Sequence, residues 1–341
     1  MVRSLILLAA YLLLNLSSAV FVSAQADSCS HRSVSVYVQD SQGSPITGLV
    51  PADFEAKAHG KPVKILSITP DSRPHRLLLI VDTTHSMNNA ETGEPPGEPP
   101  RWRWQIALAQ HFFKQNRQKA QIALLIFSKQ INDVVDFSQG NAAVDVKLQE
   151  AAKGYDNLRN DPTKGTATLH DAILQGLQLF DHTSSADAIY VLSDAVENNT
   201  ATHDFGAVIQ RLIAMEVRLF AVLLQREIGY RNKTAEEVLG PEELSEIARK
   251  SGGAILSTAE WHNDRVSLSA NANGKATTQE TLTRLYQAIL QRSLLELELP
   301  FPLEKNESFQ LKLSDSARHQ WKGAQIIYSD SLIGCGSNSK P

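Results

Sequence analysis

The sequence predicts an α/β protein: a mostly parallel central sheet flanked by helices, joined to a small β unit formed by the N- and C-terminal segments. Three observations lead there. Continuous apolar runs at residues 77–81 and 122–127 have strand length and read as strands covered on both faces. Between such runs lie stripes of helical period, clearest in Leu169, Ala172, Ile173, Gly176, Leu177 and Phe180. Towards both ends the apolar residues instead alternate with polar ones, the period of half-buried strands. Strands alternating with helices at the central spacing imply parallel pairing through helical crossovers.

The chain has 341 residues, 42% hydrophobic and 21% charged, which leaves room for a large α/β domain and a smaller unit of ordinary globular composition. A formal net charge of -4 without a clustered basic face excludes a nucleic-acid partner.

Taken in order, residues 1–24 read as a secretory signal peptide. Arg3 precedes an apolar run broken only by Tyr11, and Val22-Ser23-Ala24 offers a cleavage site before Gln25. The alternative is an uncleaved membrane anchor, against which Asn15, Ser17 and Ser18 stand. No later segment has spanning length, so the mature chain is expected to be exported to the periplasm or the extracellular space. In such a compartment the two cysteines, Cys29 and Cys335, are expected to pair, the alternative being two free thiols. Asp27-Ser28 before Cys29 argues against lipidation.

Residues 29–70 form the N-terminal β segment, in which Val34, Val36 and Val38 alternate with polar neighbours, and Phe54, Ala56, Val63 and Ile65 flank a turn at Gly60. Residues 74–260 form the α/β region. Its helices are marked by Trp102, Ile106, Ala109 and Phe113, by the stripe from Leu169, by Phe205, Val208, Ile209 and Leu212, and by residues 241–250. The last has Pro241 in its first turn and Gly252 just beyond its end. Its later strands are residues 188–192, 217–224 and 254–256. Residues 261–335 supply a helix (Leu282, Leu285, Tyr286, Ile289) and the strands around Leu295, Phe309 and Ile327 that complete the small β unit.

In an open α/β sheet, ligands bind beyond the carboxyl ends of the strands. Three loops there carry oxygen donors: Asp82-Thr83-Thr84-His85-Ser86, Lys164-Gly165-Thr166-Ala167-Thr168, and Ser193-Asp194. Hydroxyls of Thr84, Ser86 and Thr166 are neutral hard donors, and Asp82 and Asp194 add charge. That set suits one Mg²⁺ or Mn²⁺, which take about six oxygens and keep water readily.

The first loop resembles the D-x-S-x-S motif of the metal-ion-dependent adhesion site in von Willebrand factor type A domains, with Thr in place of the first Ser. Gly165-Thr166 and Asp194 resemble the second and third loops of that site. The likeness covers roughly residues 76–256 and implies a Rossmann-like fold. It also implies metal ligation by Thr84, Ser86 and Thr166, with Asp82 and Asp194 acting through water. The lead-in, with residues 36–40, 43–49, Asp53-Phe54 and Gly60-Lys61-Pro62, resembles the bacterial subfamily called acidobacterial-type. A bacterial source leaves the sequons at Asn198, Asn232 and Asn306 without meaning. Two departures stand out: His85 occupies a position where the family carries Gly, and one extra residue before Leu169 makes Thr168 a rival to Thr166.

Residues 91–104, with two Pro-Pro pairs ahead of Arg101-Trp102-Arg103-Trp104, read either as a stiff arm that selects partners or as a solvated linker. The expected function is non-enzymatic: binding of a protein ligand whose Asp or Glu completes the metal's shell. One alternative is a metal-free structural domain. Another is a hydrolase using His85 or His170 with Ser86 and Asp171, although adjacency of such residues does not make a triad without its geometry. Asp171 reads more simply as a first-turn helix acid.

Overall fold

The computed structural model describes residues 29–87, 101–128, 130–154, 169–196, 204–224, 235–257 and 278–335. The chain begins with strands β1 (His31–Gln39), β2 (Phe54–Ala58) and β3 (Lys61–Pro70). It then builds β4 (His75–Asp82), α1 (Arg101–Asn116), β5 (Ala120–Phe127), β6 (Ile131–Val135), α2 (Gly140–Gly154) and α3 (Leu169–Leu177). Next come β7 (Ala188–Ser193), α4 (Phe205–Ala214), β8 (Arg218–Leu223), α5 (Ala235–Ser251) and β9 (Ile255–Ser257). Helix α6 (Thr278–Leu290) leads to β10 (Ser293–Glu298), β11 (Glu307–Leu313), α7 (Asp315–Gln320), β12 (Gln325–Tyr328) and β13 (Ser331–Leu332).

The central sheet has the order β6-β5-β4-β7-β8-β9. All its pairings are parallel except that β6 runs antiparallel to β5. Alternate residues of β4 serve opposite faces. Leu77, Leu79 and Val81 pack under α1, α2 and α6, whereas Leu78 and Ile80 pack under α3, α4 and α5. Both faces are therefore covered, which explains why these strands are apolar throughout.

Two elements of this region escape the sequence reading. Helix α2 carries only a sparse stripe, Val144, Leu148 and Ala151, all buried. Strand β6 pairs on one side alone and interrupts its alternation with Asn132 and Asp133. A third is corrected: α5 starts at Ala235, not at Pro241, which lies inside the helix. Lacking an N–H, Pro241 forgoes one helical bond, a loss that a long helix packed along β8 tolerates. Its far end is as expected: Gly252, at φ +83°, closes it, with Gly252 N donating to Arg249 O and Gly253 N to Ala248 O. A Cβ on Gly253 would fall 1.7 Å from Leu219 O, so helix and strand meet there through backbone alone.

The two ends of the chain make a second, antiparallel sheet in the order β12-β1-β10-β3-β2-β11-β13. Its outermost strands, β12 and β13, are joined by Ser329 and Asp330 alone, so the sheet curls until its ends meet. At the seam Phe309 N donates to Asp330 O (2.8 Å), Leu311 N donates to the Tyr328 hydroxyl (3.1 Å), and the two rings stand edge-on. Closure leaves few unpaired strand edges and encloses a core that includes Val36, Phe54, Leu295, Leu297 and Phe309. Cys29 and Cys335 are bonded across 306 residues, beside backbone bonds that tie both to Leu303. The disulfide points to a non-cytoplasmic compartment, and among the described residues no helix is long and apolar enough to cross a membrane.

The chain passes between the two sheets twice, after β3 and before β10, and one buried pair holds both crossings. Arg292 Nε donates to Asp71 Oδ2 (2.8 Å), Arg292 Nη1 to Ala186 O (3.0 Å), and Asp71 N to Arg292 O (3.0 Å). Arg73 adds three further bonds to the same carboxylate, from its backbone N, Nε and Nη2.

Candidate functional site

Strand order positions the site. From β4 the chain moves outward through β5 and β6, and from β7 it moves the other way through β8 and β9. The order thus reverses between β4 and β7, the switch point at which open α/β sheets place their ligands in a crevice beyond the carboxyl ends of the strands. Val81 is in register with Leu192. The next residues, Asp82 and Ser193, therefore lie side by side at its floor.

The first loop is built around Asp82. Its Oδ1 accepts from Thr84 N (2.9 Å) and its Oδ2 from Ser193 Oγ (2.5 Å). An aspartate that bonds its own backbone two residues on enforces a tight turn. Thr83 turns the other way, its N and Oγ1 both donating to Phe127 O on β5 (2.7 and 2.8 Å). The alternation of the motif follows: Thr83 anchors the loop to the sheet, and Thr84 and Ser86 face each other with their hydroxyl oxygens 2.9 Å apart. His85 opens a short 3-10 turn that ends at Met87, whose side chain is buried and whose N donates to Thr84 O.

The loop after β7 repeats the device twice. Ser193 Oγ accepts from Ala195 N (2.8 Å) and Asp194 Oδ1 from Val196 N (3.2 Å). Ala195 sits at φ +56°, a conformation that L residues with a Cβ adopt at a cost and that the surrounding bonds enforce.

Asp82, Thr84, Ser193 and Asp194 are all buried. Burial, and then the negative charge of Asp194, push the Asp82 carboxyl above the usual carboxylate range, and the bonds from Ser193 and Thr84 pull it partly back. Two buried carboxylates that raise each other's cost of ionisation are an environment that a cation relieves. The hydroxyls of Thr84 and Ser86 converge beside them, so the donors present fit a small hard cation held by oxygen. Among the described residues no group of three or more His, Cys, Asp or Glu side chains is arranged to hold a metal, which leaves no zinc-type cluster there.

Of the residues named from the sequence, Asp82, Thr84, Ser86 and Asp194 lie in the two loops that flank this crevice. Thr166, its rival Thr168 and the proline-rich segment 91–100 lie outside the described residues. His170 is buried on α3, its Nε2 3.7 Å from Glu243 Oε2 on α5. Two participants escape the sequence reading. Ser193 enters it only beside Asp194, yet it bridges the strands. Gln105, buried on α1, donates through Nε2 to Leu192 O and ties that helix to the end of β7. A Ser closing a buried strand is a signal for the first; a Gln on the apolar face of a helix, between Trp102 and Ile106, is one for the second.

Residues 77–200 match the family model of the von Willebrand factor type A domain. With the sheet order, this supports a von Willebrand factor type A domain in the chain. No curated protein matches the chain. Among solved structures, a von Willebrand factor type A protein from Catenulispora acidiphila is 11% identical, with 89% of this chain and 74% of that one covered and a TM-score of 0.37. A mutant of the PilB minor pilin from Streptococcus sanguinis is 10% identical over 55% of this chain, with a TM-score of 0.39. The chain spans 57% of that pilin's length. The conserved hypothetical protein BatB from Bacteroides thetaiotaomicron is 14% identical, with 54% of this chain and 89% of that one covered and a TM-score of 0.35.

Proposed function

We propose that this chain is an exported, non-enzymatic protein-binding module that holds one Mg²⁺ or Mn²⁺ at the crevice between β4 and β7 and binds an acidic residue of its partner there. The observation that carries the reading is the buried Asp82 carboxylate, clasped by Thr84 N and Ser193 Oγ, with the Thr84–Ser86 hydroxyl pair beside it. Thr84 and Ser86 would hold the ion directly, joined by Thr166 from the second loop, and Asp82 and Asp194 would act through water. With so few charged donors the bound ion keeps Lewis acidity and a place for a partner's carboxylate. The chain's own part is to fix the donors in place: Thr83 on Phe127, Asp82 on Ser193 and Asp194 on Val196 keep them preorganised, so little ordering is left to binding. Export rests on residues 1–24 as a signal peptide, with the Cys29–Cys335 bond in support. The likeness of the lead-in, residues 36–62, to the acidobacterial-type subfamily supports the finer reading that the chain is one of its members.

One observation favours a second reading, a metal-free scaffold: the Thr84 and Ser86 hydroxyls bond each other, an interaction that helps to hold the loop by itself.

Thermal melts in EDTA, Mg²⁺ and Mn²⁺, beside an Asp82→Ala variant, separate the two. A ligand of the native state raises the melting temperature by linkage. Stabilisation in the natural sequence and none in the variant supports the metal reading, and partners captured in Mg²⁺ are then expected to be released by EDTA. Equal melts under every condition refute it in favour of the scaffold.

A further inference from the structure

The two sulfurs of the Cys29–Cys335 bridge stand in different surroundings. Arg32, the second residue of β1, donates from Nη2 to Cys335 Sγ at 2.8 Å. Two backbone carbonyls fix the same guanidinium: Nε donates to Ile333 O (2.9 Å) and Nη1 to His31 O (2.7 Å). Its planar fork is therefore aimed at the sulfur by contacts that do not depend on the bridge. Glu216 is the carboxylate whose charge acts on Arg32.

A neutral sulfur is a weak acceptor, so a charged donor gains little from a disulfide. A thiolate is a far better partner, and a neighbouring guanidinium lowers the pKa of its thiol. Arg32 thus favours the state in which the bridge has opened with the negative charge on Cys335. A disulfide is cleaved faster when the departing thiol has the lower pKa. Cys29 is accordingly the sulfur to be attacked, and Cys335 the one to leave.

The surroundings suit a bridge that opens and closes. Both cysteines are half-buried rather than sealed in a core. Bonds that do not involve sulfur hold both ends: Leu303 N donates to Cys29 O, Cys335 N to Leu303 O, and Gly334 N to Asn306 Oδ1. A Cβ on Gly334 would fall 2.4 Å from the Cα of Lys305, so the C-terminal segment lies directly on that backbone. The Cys335 thiolate therefore stays beside Cys29 once the bridge is open.

We propose that Cys29 is a site of reversible S-thiolation by small thiols, with Cys335 as the leaving thiolate and Arg32 as the residue that positions and stabilises it. A thiol gives its proton to water and its sulfur bonds to Cys29 Sγ. The bond between the two cysteines breaks, and its electron pair goes to Cys335 Sγ against Arg32. One disulfide and one thiol become another disulfide and another thiol, so no oxidant or reductant is consumed. Attack of the Cys335 thiolate on Cys29 Sγ expels the small thiolate and restores the bridge. The site is separate from the crevice between β4 and β7 and stands whether or not a metal binds there.

The test treats the oxidised full chain with reduced glutathione at neutral pH, quenches early with iodoacetamide and maps both cysteines by peptide mass spectrometry. Glutathione on Cys29 and the alkyl label on Cys335 are the expected result. Arg32→Gln is expected to slow adduct formation several-fold, and Arg32→Lys, which keeps the charge, to recover part of the rate. A second readout, which a mere loss of packing does not imitate, is the ultraviolet titration of each thiolate alone. The Cys335 thiol in Cys29→Ser is expected to ionise at lower pH than the Cys29 thiol in Cys335→Ser. That comparison decides the matter even should the Arg32 variants fail to fold. No adduct, an adduct shared equally or carried by Cys335, or a Cys335 thiol that ionises no earlier than Cys29, overturns the proposal.

Discussion

Ser193 Oγ donates a 2.5 Å hydrogen bond to Asp82 Oδ2, joining the carboxyl ends of two neighbouring strands across 111 residues of sequence. The same oxygen accepts from Ala195 N, so one hydroxyl holds the aspartate and the loop after β7 together. Ser193→Ala orphans a buried carboxylate oxygen and a buried N–H at once. The expected loss is on the order of 1–3 kcal/mol, read from the urea midpoint in EDTA. A loss below about 0.5 kcal/mol, the usual size of a surface change, would show that water takes over the bond.

The Asp71–Arg292 pair is expected to be the most sensitive point of the junction. Both side chains are buried, and Asp71 is the carboxylate that neutralises Arg292. Burial alone would raise the Asp71 carboxyl, but its bonds from Arg73 and Arg292 outweigh that and hold it well below the usual range. Asp71→Ala leaves a buried guanidinium uncompensated and is expected to cost about 3–5 kcal/mol. Replacing both residues together, as Asp71→Leu with Arg292→Met, is expected to cost less than the single change. Denaturation of the three variants checks the order.

His75 sets an acid-side pH dependence. Burial first, then the positive charge of Arg292 and Arg218, lower its pKa to about 4, and its Nδ1 accepts from Arg292 Nη1 at 3.2 Å. The unfolded chain takes up this proton near pH 6.5, the folded one only near 4. The stability contributed by the neutral ring is therefore complete above about pH 6.5 and is lost as the pH falls towards 4. Midpoints measured from pH 7.5 to 4.5 are expected to decline in the natural sequence and to decline less in His75→Asn. Parallel profiles would assign the decline to other groups.

Reduction of Cys29–Cys335 is expected to lower stability by up to about 5 kcal/mol in the chain-entropy account, given the length of the closed loop. The Leu303 bonds to both cysteine backbones keep the ends together in the folded state, so the reduced protein is expected to retain its secondary structure at low temperature. Circular dichroism with and without reductant, beside Cys29→Ser, measures both effects. An unchanged melting temperature would mean that the ends contribute nothing to cooperative unfolding.

Most elements can be read directly from residue order. The apolar runs of β4 and β5, the stripe of α3, the glycine stop of α5 and the alternation of β1 and β11 are local patterns with local causes: a face is buried or it is not, and the period reports which. The turn chemistry of Asp82, Thr84 and Ser86 is legible for the same reason, since an aspartate bonding its own backbone needs no distant partner. Periodicity does not say against what a face is buried. That β4 lies beside β7, that Ser193 reaches Asp82, that Asp71 meets Arg292 over 221 positions, and that β12 closes on β11 all depend on non-local pairing and on how loops return. The contact of Arg32 with Cys335 Sγ belongs to the same class: a charged residue near the start of a strand is unremarkable until packing sets it on a sulfur 303 positions away.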